Sequence, residues 1–258
     1  MTLVLYQAIS EHSGVITLND PDNLNAMGEE MADEFSALIT KLQREAKKLR
    51  ALILTGSGRA FSAGGNLEML EKKTSLNAEE NHRRMLNFYN SFLCMLDLGV
   101  PLIAAINGHA IGAGLCVASA CDVRVCSDKA RLGFTFTKLG LHPGMGATYF
   151  LPKLLGYASA AELILTGRVI EAPEALRVGL VSKIVAAEKV VEEAKAIAQE
   201  ICECGPESIK QVLQTLRQGV HELPRMLERE ATCQSINYGS QEFKEGVRAA
   251  IEKRKPAF

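Results

Sequence analysis

The sequence lacks tryptophan, contains no Cys-x-x-Cys pair and carries almost no net charge. Its 29 Lys and Arg residues are balanced by 30 Asp and Glu residues, which leaves a formal net charge of −1. Such a balance creates no broad positive field to attract a phosphate backbone or an anionic lipid surface, so neither nucleic acid nor membrane is an expected partner. The five histidines are scattered along the chain, so no cluster of metal ligands stands out and no metal is expected.

Disulfide pairs and targeting signals are also missing from the pattern. The seven cysteines are odd in number and do not have the spacing of disulfide pairs. This pattern is typical of reduced thiols that pack in the interior of a cytoplasmic protein. Residues 1–5 lack the basic and apolar regions of a signal peptide, so a cytoplasmic location is expected. The stretch Leu98–Cys121 has no charged residue. Pro101 and Asn107 interrupt it, however, which favours a buried strand and a buried helix over a transmembrane helix.

What the sequence does contain is the composition of a globular protein. Its 258 residues are 47% apolar and 23% charged, enough to bury one large core or two small ones. Short apolar runs alternate with helical patterns, which predicts a mostly parallel sheet covered on both faces. The predicted strands are Val15–Leu18, Ala51–Thr55, Leu102–Ile106 and Val123–Cys126, and the predicted helices are Met31–Leu49, Glu79–Leu98 and Leu115–Ala120, with a glycine-rich turn over Asn107–Gly114.

Beyond Ala186 the pattern is only helical. We place an organisational boundary near residue 200, with an α/β core at 1–200 and a helical region at 201–258. Helical appendages of this kind often serve the assembly of homo-oligomers. The predicted helices are Lys189–Cys202, Glu207–Gln218, Glu222–Tyr238 and Ser240–Lys253, separated by helix breakers at Gly205–Pro206, Gly219 and Gly239.

Two glycine-rich segments, 60–67 and 107–114, each lie between a strand and a helix. Glycine lets the chain adopt positive φ angles and lets a ligand approach the backbone closely. The first amides of a helix have no partner within the helix and favour negative charge. Two such turns that converge would form a two-amide oxyanion hole, whereas the alternative is that both are ordinary connections. Neither segment contains a dinucleotide-binding, P-loop or nucleophile-elbow motif.

Several short motifs occur together in a specific order. They are Asn23–Met27, Leu52–Gly56, Arg59–Leu67, Pro101–Asp122, Leu139–Thr148 and Glu252–Pro256. At these residues the sequence resembles the crotonase (enoyl-CoA hydratase/isomerase) superfamily over essentially the whole chain. The resemblance implies an α/β fold of the ClpP/crotonase-like type, which is a spiral of ββα units with a C-terminal helical trimerisation region. It also implies CoA-thioester substrates, homotrimers that can pair into hexamers, and no cofactor other than the CoA of the substrate.

The resemblance also assigns site residues by position. It places the oxyanion amides on Gly65 and Ala113. It lays CoA along the segment 59–63, with the CoA phosphates near Lys253 or Arg254 of the tail. The candidate contacts with CoA and the acyl group are Arg59, Phe61, Ala63, Asn66, Phe136, Lys138 and Lys253.

The acid–base residues of the family are the point at which this sequence departs from the pattern. Hydratases of the family use two glutamates to hold and activate water, and the matching positions here are Cys116 and Phe136. Phenylalanine cannot transfer a proton, and one thiol does not replace two carboxylates. Hydration is therefore not expected, and isomerases that keep the second glutamate are also a poor match.

A narrower resemblance concerns the decarboxylating crotonases of polyketide β-branching. It is carried by the segments Phe136–Gly140, Pro143–Thr148 and Leu223–Glu228. Lys73 falls where those enzymes have a carboxylate-binding lysine, whereas Met69 and Thr215 stand in place of their tyrosine and histidine. Loss of CO₂ itself generates the enolate in that branch, so little acid–base machinery is needed.

Each candidate side chain also has a purely structural interpretation. Cys116 could donate a proton or act as a nucleophile, or it could pack behind the site. Lys73 could bind a substrate carboxylate or belong to a solvated face. His142 could shuttle protons or be a structural loop residue. Asn66 could cap the next helix, and Lys138 could reach a thioester oxygen or be exposed.

The leading hypothesis is an enzyme that acts on an acyl-CoA or acyl-carrier thioester through an enolate. It is a decarboxylase or an isomerase rather than a hydratase, with Gly65, Ala113, Cys116, His142 and Lys73 as the catalytic candidates. Two alternatives stay open: an enoyl-CoA hydratase that works by a variant mechanism, and a non-catalytic CoA-binding homologue.

Overall fold

Continuous apolar runs form the central strands of a large sheet in the computed structural model, which describes residues 2–217 and 220–258. The strands in chain order are β1 (Val4–Ala8), β2 (Ser13–Leu18), β3 (Ala51–Gly56), β4 (Ala60–Ser62), β5 (Leu102–Ile106), β6 (His109–Ile111), β7 (Val123–Ser127), β8 (Arg131–Gly133), β9 (Val169–Glu171) and β10 (Lys183–Val185). The large sheet has the order β1-β2-β3-β5-β7-β10 and the small sheet the order β4-β6-β8-β9. Only the outer pairs β1–β2 and β8–β9 are antiparallel among these strands.

The helices connect and cover these sheets. They are α1 (Glu29–Glu45), α2 (Leu67–Lys73), α3 (Ala78–Leu93), α4 (Ala113–Ala120), α5 (Ala147–Thr166), α6 (Ala172–Arg177), α7 (Val190–Glu203), α8 (Pro206–Leu216), α9 (Leu223–Asn237) and α10 (Gln241–Ile251). A strand of the large sheet is followed by a short strand of the small sheet and then by a helix, as in β3-β4-α2, β5-β6-α4 and β7-β8-α5. This repetition is the predicted spiral of ββα units.

The two faces of the large sheet belong to different hydrophobic clusters. Alternate residues of the parallel strands, such as Ile53 and Ile103, pack against one face of α7 at Val190, Ala194 and Ala198. The intervening residues face the main core, which α1 and α3 cover. The central strands β3 and β5 are buried along their whole length because helices lie on both sides.

Most of the predicted elements are confirmed, with shifted ends. The predicted helix Met31–Leu49 is α1, which ends at Glu45. The predicted helix Glu79–Leu98 is α3 followed by a 3₁₀ turn over Cys94–Leu98. Asn77 starts α3 because its side chain accepts a hydrogen bond from the Glu80 amide at 2.8 Å.

The prediction of a simple turn over Asn107–Gly114 is wrong in part. The segment contains strand β6, and α4 begins at Ala113 rather than at Leu115. Strand β6 pairs with β4 and β8, so its conformation depends on partners that are distant in the sequence. The prediction that the uncharged stretch Leu98–Cys121 holds a buried strand and a buried helix is confirmed by β5 and α4.

In the C-terminal region the predicted helices are α7 to α10. Gly205 and Gly239 lie between helices as predicted, and Pro206 is the first residue of α8. The predicted helix end at Gln218 and the breaker Gly219 lie outside the described residues. Helix α9 packs along α3, and α10 packs on the 3₁₀ turn Thr135–Leu139. Within the described ranges, none of the helices combines the length and apolar character that crossing a bilayer requires.

Candidate active site

The first glycine turn is held from both sides by main-chain and hydroxyl hydrogen bonds. The Ser62 hydroxyl accepts a hydrogen bond from the Gly64 amide at 3.1 Å, and Gly64 adopts a φ of +92°. The Gly64 carbonyl accepts from the Met27 amide at 2.7 Å, and the Met27 carbonyl accepts from the Asn66 amide at 3.0 Å. The Gly65 amide between them has no acceptor within the described part of the chain.

The motif Asn23–Met27 matters because it runs beside this turn. Asn25 is fully buried, and its side-chain amide donates to the carbonyls of Ser57 and Ala60 at 2.9 and 2.8 Å. Its main-chain carbonyl accepts from the Ser62 hydroxyl at 2.8 Å. The asparagine therefore ties the loop before α1 to the loop before the first glycine turn.

The second glycine turn begins helix α4. Gly112 has a φ of +52°, and its amide donates to the Gly133 carbonyl at 2.8 Å. Ala113 is the first residue of the helix, so its amide has no partner within α4. No other residue of the described ranges accepts a hydrogen bond from it.

The two turns contact each other closely. A Cβ atom on Gly64 would lie 2.6 Å from the Ile111 carbonyl oxygen and 3.5 Å from the Ala113 nitrogen. A Cβ atom on Gly112 would lie 4.0 Å from the Gly64 Cα atom. Only glycine permits this approach, and it brings the Gly65 and Ala113 amides to one end of a shared cavity, which we call the amide end. Two unpaired donors in such an arrangement can stabilise an oxygen that becomes negatively charged.

The cavity has a volume of about 550 Å³, and its lining includes both exposed and buried residues. Asp22, Arg59 and Glu68 lie at the mouth and are exposed. Apolar side chains of α3 and of the loop before α5 form much of the interior wall, including Met85 and Met145. The predicted site residues that line the cavity are Arg59, Ala63, Gly65, Asn66, Ala113 and Phe136. Other predicted residues lie outside its lining: Phe61, Lys73, Cys116, Lys138, His142 and Lys253.

Two of the lining residues also have clear structural tasks. The Asn66 side chain accepts a hydrogen bond from the Met69 amide at 3.0 Å, which confirms that Asn66 caps the next helix, α2. Phe136 reaches the amide end, because its Cζ atom would lie 4.0 Å from a Cβ atom on Gly112. At position 136 an aromatic ring therefore lies beside the amide end.

Cys116 and His142 lie near the cavity without lining it. Cys116 is fully buried in the main core, and burial, together with the nearby Glu230, raises the pKa of its thiol well above the usual range. A thiol in such surroundings is a poor nucleophile, which favours the packing interpretation. The His142 ring is half-buried against its own loop, with Nδ1 at 2.6 Å from the Pro143 carbonyl oxygen, and burial lowers its pKa.

The interpretation of Lys73 as part of a solvated face is wrong. Its side chain is only 3% exposed, and Nζ lies 3.5 Å from a Glu29 carboxylate oxygen. Burial lowers the pKa of Lys73, because its charged form is less stable when the side chain is removed from water. Lys73 and Glu29 border a second groove, which shares Asn66 and other lining residues with the cavity, and Lys73 does not line the cavity itself.

The remaining cationic candidates are exposed. Lys138 lies on the exposed side of the 3₁₀ turn Thr135–Leu139, and Lys253 follows α10. Ala250 of α10 lines the cavity, three residues before Lys253. Arg254 is already engaged by Glu245 and Glu252.

Comparison with known proteins agrees with this architecture. A sequence model described as enoyl-CoA hydratase/isomerase matches residues 9–258. A protein of Thermus thermophilus is 37% identical over 258 residues, covering 98% of this chain and 100% of that protein. The short-chain-enoyl-CoA hydratase of Clostridium acetobutylicum is 34% identical and covers 93% of this chain and 92% of its own. The chain belongs to the enoyl-CoA hydratase/isomerase family.

Solved structures of the family superpose over nearly the whole chain. An enoyl-CoA hydratase from Bacillus halodurans has a TM-score of 0.87 at 28% identity, covering 96% of this chain and 99% of its own. A monofunctional enoyl CoA isomerase from M. smegmatis has a TM-score of 0.70 at 32% identity, covering 86% and 95%. The crotonase fold predicted from the motifs is therefore confirmed.

In this member of the enoyl-CoA hydratase/isomerase family, the buried part of the cavity contains a polar cluster that the motifs did not indicate. The Tyr89 hydroxyl donates to the Gln234 side-chain oxygen at 2.7 Å, and the Tyr238 hydroxyl donates to the same oxygen at 3.1 Å. Gly144 closes over this cluster, because a Cβ atom there would collide with the Tyr89 hydroxyl and the Gln234 amide nitrogen. We call Tyr89, Gly144, Gln234 and Tyr238 the deep end.

The only hint of the deep end in the sequence is weak. Gln234 and Tyr238 are four residues apart, so they share one side of α9 and its end. Tyr89, however, is 145 residues from Gln234 and lies in a helix whose amphipathic pattern predicts only burial. Helices α9 and α10, from the region predicted for assembly, thus also contribute to the cavity wall.

A buried acid supports the loop that closes the deep end. Glu230 accepts hydrogen bonds from the Gly146 amide at 2.8 Å and from the amide and hydroxyl of Thr148 at 2.9 and 2.5 Å. These amides belong to the first turn of α5, which lacks a local cap. Burial raises the pKa of Glu230, although the three hydrogen bonds oppose that shift. Glu230 does not line the cavity, so its role is to position the loop.

Proposed function

We propose that this protein stabilises the enolate of an acyl-CoA or acyl-carrier thioester, with the Gly65 and Ala113 amides donating to the thioester oxygen. The observation that carries the proposal is the contact between two glycine turns, each of which leaves one amide unpaired in the same cavity. Each such donor contributes about 3–4 kcal/mol of transition-state stabilisation in well-characterised oxyanion holes.

The interior of the cavity favours decarboxylation over hydration. Hydration requires a base to activate water, and the charged residues that line the described cavity are Asp22, Arg59 and Glu68 at the mouth. Burial raises the pKa values of Tyr89 and Tyr238, so neither phenol acts as a base near neutral pH. Isomerisation also begins with proton removal, which places it second.

Decarboxylation needs no base. The bond between the α-carbon and the carboxylate carbon breaks, CO₂ leaves, and the electron pair of that bond becomes the enolate. The enolate oxygen accepts hydrogen bonds from Gly65 and Ala113, and a proton from solvent is then added to the carbon. Lys73 takes no part in this scheme because it pairs with Glu29 outside the cavity.

Hydration ranks below decarboxylation and isomerisation, and it is kept as a candidate because relatives bear that name. The Clostridium acetobutylicum protein is a short-chain-enoyl-CoA hydratase at 34% identity. A hydratase built on this chain would have to activate water without the glutamates that the family resemblance expects at positions 116 and 136. A non-catalytic CoA-binding role is a further outcome that an assay must separate.

One assay decides among these functions. Purified protein is incubated with crotonyl-CoA and, separately, with malonyl-type and glutaconyl-type thioesters, and products are resolved by mass spectrometry. We expect decarboxylation and little hydration. Fast hydration of crotonyl-CoA would overturn the proposal, and CoA binding without turnover on the whole panel would indicate the non-catalytic role.

The placement of CoA and the oligomeric state that we propose follow from the resemblance to the crotonase superfamily. CoA would lie along 59–63, with Lys253 near its phosphates, and no further cofactor would take part. We propose that the helical region 201–258 assembles trimers, which light scattering of the purified protein tests. The seven reduced cysteines favour a cytoplasmic setting.

A further inference from the structure

The deep end is polar without being charged, and the enolate chemistry proposed above does not use it. Tyr89, Gln234 and Tyr238 are 2%, 2% and 1% exposed, whereas the residues of the mouth are open to solvent. Burying polar side chains at the end of an otherwise apolar wall is costly unless they are hydrogen-bonded. Tyr89, Gln234 and Tyr238 satisfy this condition by bonding to one another, and all three belong to the lining of the cavity.

The orientation of these polar atoms follows from one contact. The Gln234 amide nitrogen donates to the His142 carbonyl at 2.7 Å, which directs the side-chain oxygen of Gln234 toward the two tyrosines. Tyr89 gives its proton to that oxygen, and Tyr238 gives its proton to the same oxygen or to the Met85 sulfur at 3.2 Å. The hydroxyl protons are thus engaged, and lone pairs of the phenolic oxygens are what the deep end can offer.

A charged group does not match this surface. The charged residues of the described lining all lie at the mouth, so a carboxylate or ammonium at the deep end would be desolvated without a partner of opposite charge. A methyl group would cover the phenolic oxygens without replacing the hydrogen bonds of water. A neutral donor such as a hydroxyl group can give a hydrogen bond to these phenolic oxygens.

We propose that the deep end selects acyl groups that carry a hydroxyl away from the thioester, with the Tyr89 and Tyr238 oxygens as the acceptors. Gln234 is the positioning residue, because it holds both phenols in place and touches the His142 loop. The inference rests on the proposed function in one respect, namely that the acyl group of a thioester enters this cavity.

Binding of unreactive thioesters tests the selection apart from catalysis. Isothermal titration calorimetry compares saturated acyl-CoAs of increasing length with ω-hydroxyacyl-CoAs and ω-carboxyacyl-CoAs of the same length. One acyl chain length will place the end of the acyl group at the deep end. At that length we expect the ω-hydroxyacyl-CoA to bind about three- to tenfold more tightly than the saturated acyl-CoA, because it gains one net hydrogen bond. The carboxyl ester is expected to bind most weakly.

Conservative variants test whether the preference for the hydroxyl ester arises at the deep end. Tyr89→Phe and Tyr238→Phe each remove one acceptor, so each is expected to reduce the preference for the hydroxyl ester. Tyr149→Phe is the matched control, because Tyr149 is buried outside the cavity lining and its hydroxyl contacts Lys153 at 3.1 Å. This control is expected to keep the full preference.

The outcomes separate this inference from the proposed function. Equal or weaker binding of the hydroxyl ester by the unmodified protein would overturn the inference, and this comparison needs no variant to fold. A preference that survives unchanged in both phenylalanine variants would also overturn it. Failure of all the CoA esters to bind would instead overturn the proposed function.

Discussion

The amide end and the deep end share one cavity but use different kinds of polar group. At the amide end the polar atoms are the main-chain nitrogens of Gly65 and Ala113, which turn geometry leaves unpaired. At the deep end they are the side chains of Tyr89, Gln234 and Tyr238, which already hydrogen-bond to one another. Unpaired donors suit a charge that appears during a reaction, whereas a satisfied network with spare acceptors suits recognition of a neutral group. Under the two proposals, the amide end serves the reaction and the deep end serves the selection of the acyl group.

The largest effect is expected from removing one donor of the amide end. Ala113→Pro deletes the amide proton at the first position of a helix, where proline is well tolerated. We expect kcat to fall about 100- to 1000-fold, the usual consequence of losing one oxyanion donor, with the thermal melting curve little changed. Steady-state kinetics on the active thioester and circular dichroism melts measure both.

Gly65 provides a second variant and a matched control. Gly65→Pro deletes the other amide and is expected to abolish turnover while the protein stays folded. Gly65→Ala keeps the amide, and its new Cβ atom would lie 3.6 Å from Leu70, an ordinary contact, so it should remain active. Turnover within tenfold of the unmodified protein in a folded Ala113→Pro or Gly65→Pro variant would show that the amide end is not catalytic.

The next largest effect concerns packing at the deep end. Gly144→Ala forces a methyl group against the Tyr89 hydroxyl and the Gln234 amide nitrogen. We expect the free energy of unfolding, measured by urea titration, to fall by about 1–3 kcal/mol, as overpacked cores do. Gly239→Ala is the control, since its Cβ atom would meet only the Ile236 carbonyl, at 3.6 Å. Equal stability of the two variants would mean that the deep end is looser than the structure shows.

A pH-dependent effect is expected behind the deep end. Burial raises the pKa of Glu230 in the folded protein above the ordinary value of 4.5. A carboxyl group with a raised pKa contributes its full stability when protonated, and this contribution is lost as the pH rises through the raised pKa. The unfolding free energy relative to Glu230→Gln should therefore fall as the pH is raised from 4.5, by about 1.4 kcal/mol for each pH unit up to that pKa.

Urea titrations over a pH series measure this difference. The Glu188→Gln variant serves as the control for the loss of a carboxylate that is exposed to solvent. If the Glu230→Gln difference is flat or grows with pH, the buried carboxyl group is ionised in the folded protein at all the pH values tested.

The smallest effect is expected at Cys116. Burial raises the pKa of its thiol, so Cys116→Ala should change kcat less than about threefold, since the thiol takes no part in the reaction. Alkylation of the native protein followed by peptide mass spectrometry should label the exposed Cys204 and leave Cys116 unmodified. Rapid labelling of Cys116, or loss of turnover in its alanine variant, would return it to the catalytic candidates.

How far the sequence predicts the molecule depends on the range of the interactions involved. Strand β5 was predicted with its observed ends, because five consecutive apolar residues suit a strand buried on both faces. Strand β6 has only three residues, and its pairing with β4 and β8 is not visible locally. Helix α5 has no counterpart among the predicted elements, because it is apolar on several sides and kinks at Gly156, where φ is +72°.

How well the site could be predicted also depends on the range of the interactions involved. The turns containing Gly65 and Ala113 were located from glycine spacing, and their contact agrees with the oxyanion hypothesis, which remains to be tested by turnover. The solvated-face interpretation of Lys73 failed, because a neighbouring lysine in the sequence does not reveal that the side chain turns inward to Glu29. The role of Cys116 likewise depends on burial, which its position one turn into α4 does not determine.

By itself the sequence determined the family, the order of the ββα units and the two places where glycine leaves a helix or strand amide without a partner. The two glycine turns depend on neighbours along the chain and are visible in the residue pattern, whereas the family and its ββα units were inferred from the resemblance of several motifs to a known family. Only the tertiary structure decided that the two glycine turns contact each other, that Lys73 is buried beside Glu29 and that Tyr89 joins Gln234 and Tyr238. Hydrogen bonds and steric contacts act over a few ångströms in space, and residues separated by a hundred positions come within that distance only when the whole core packs.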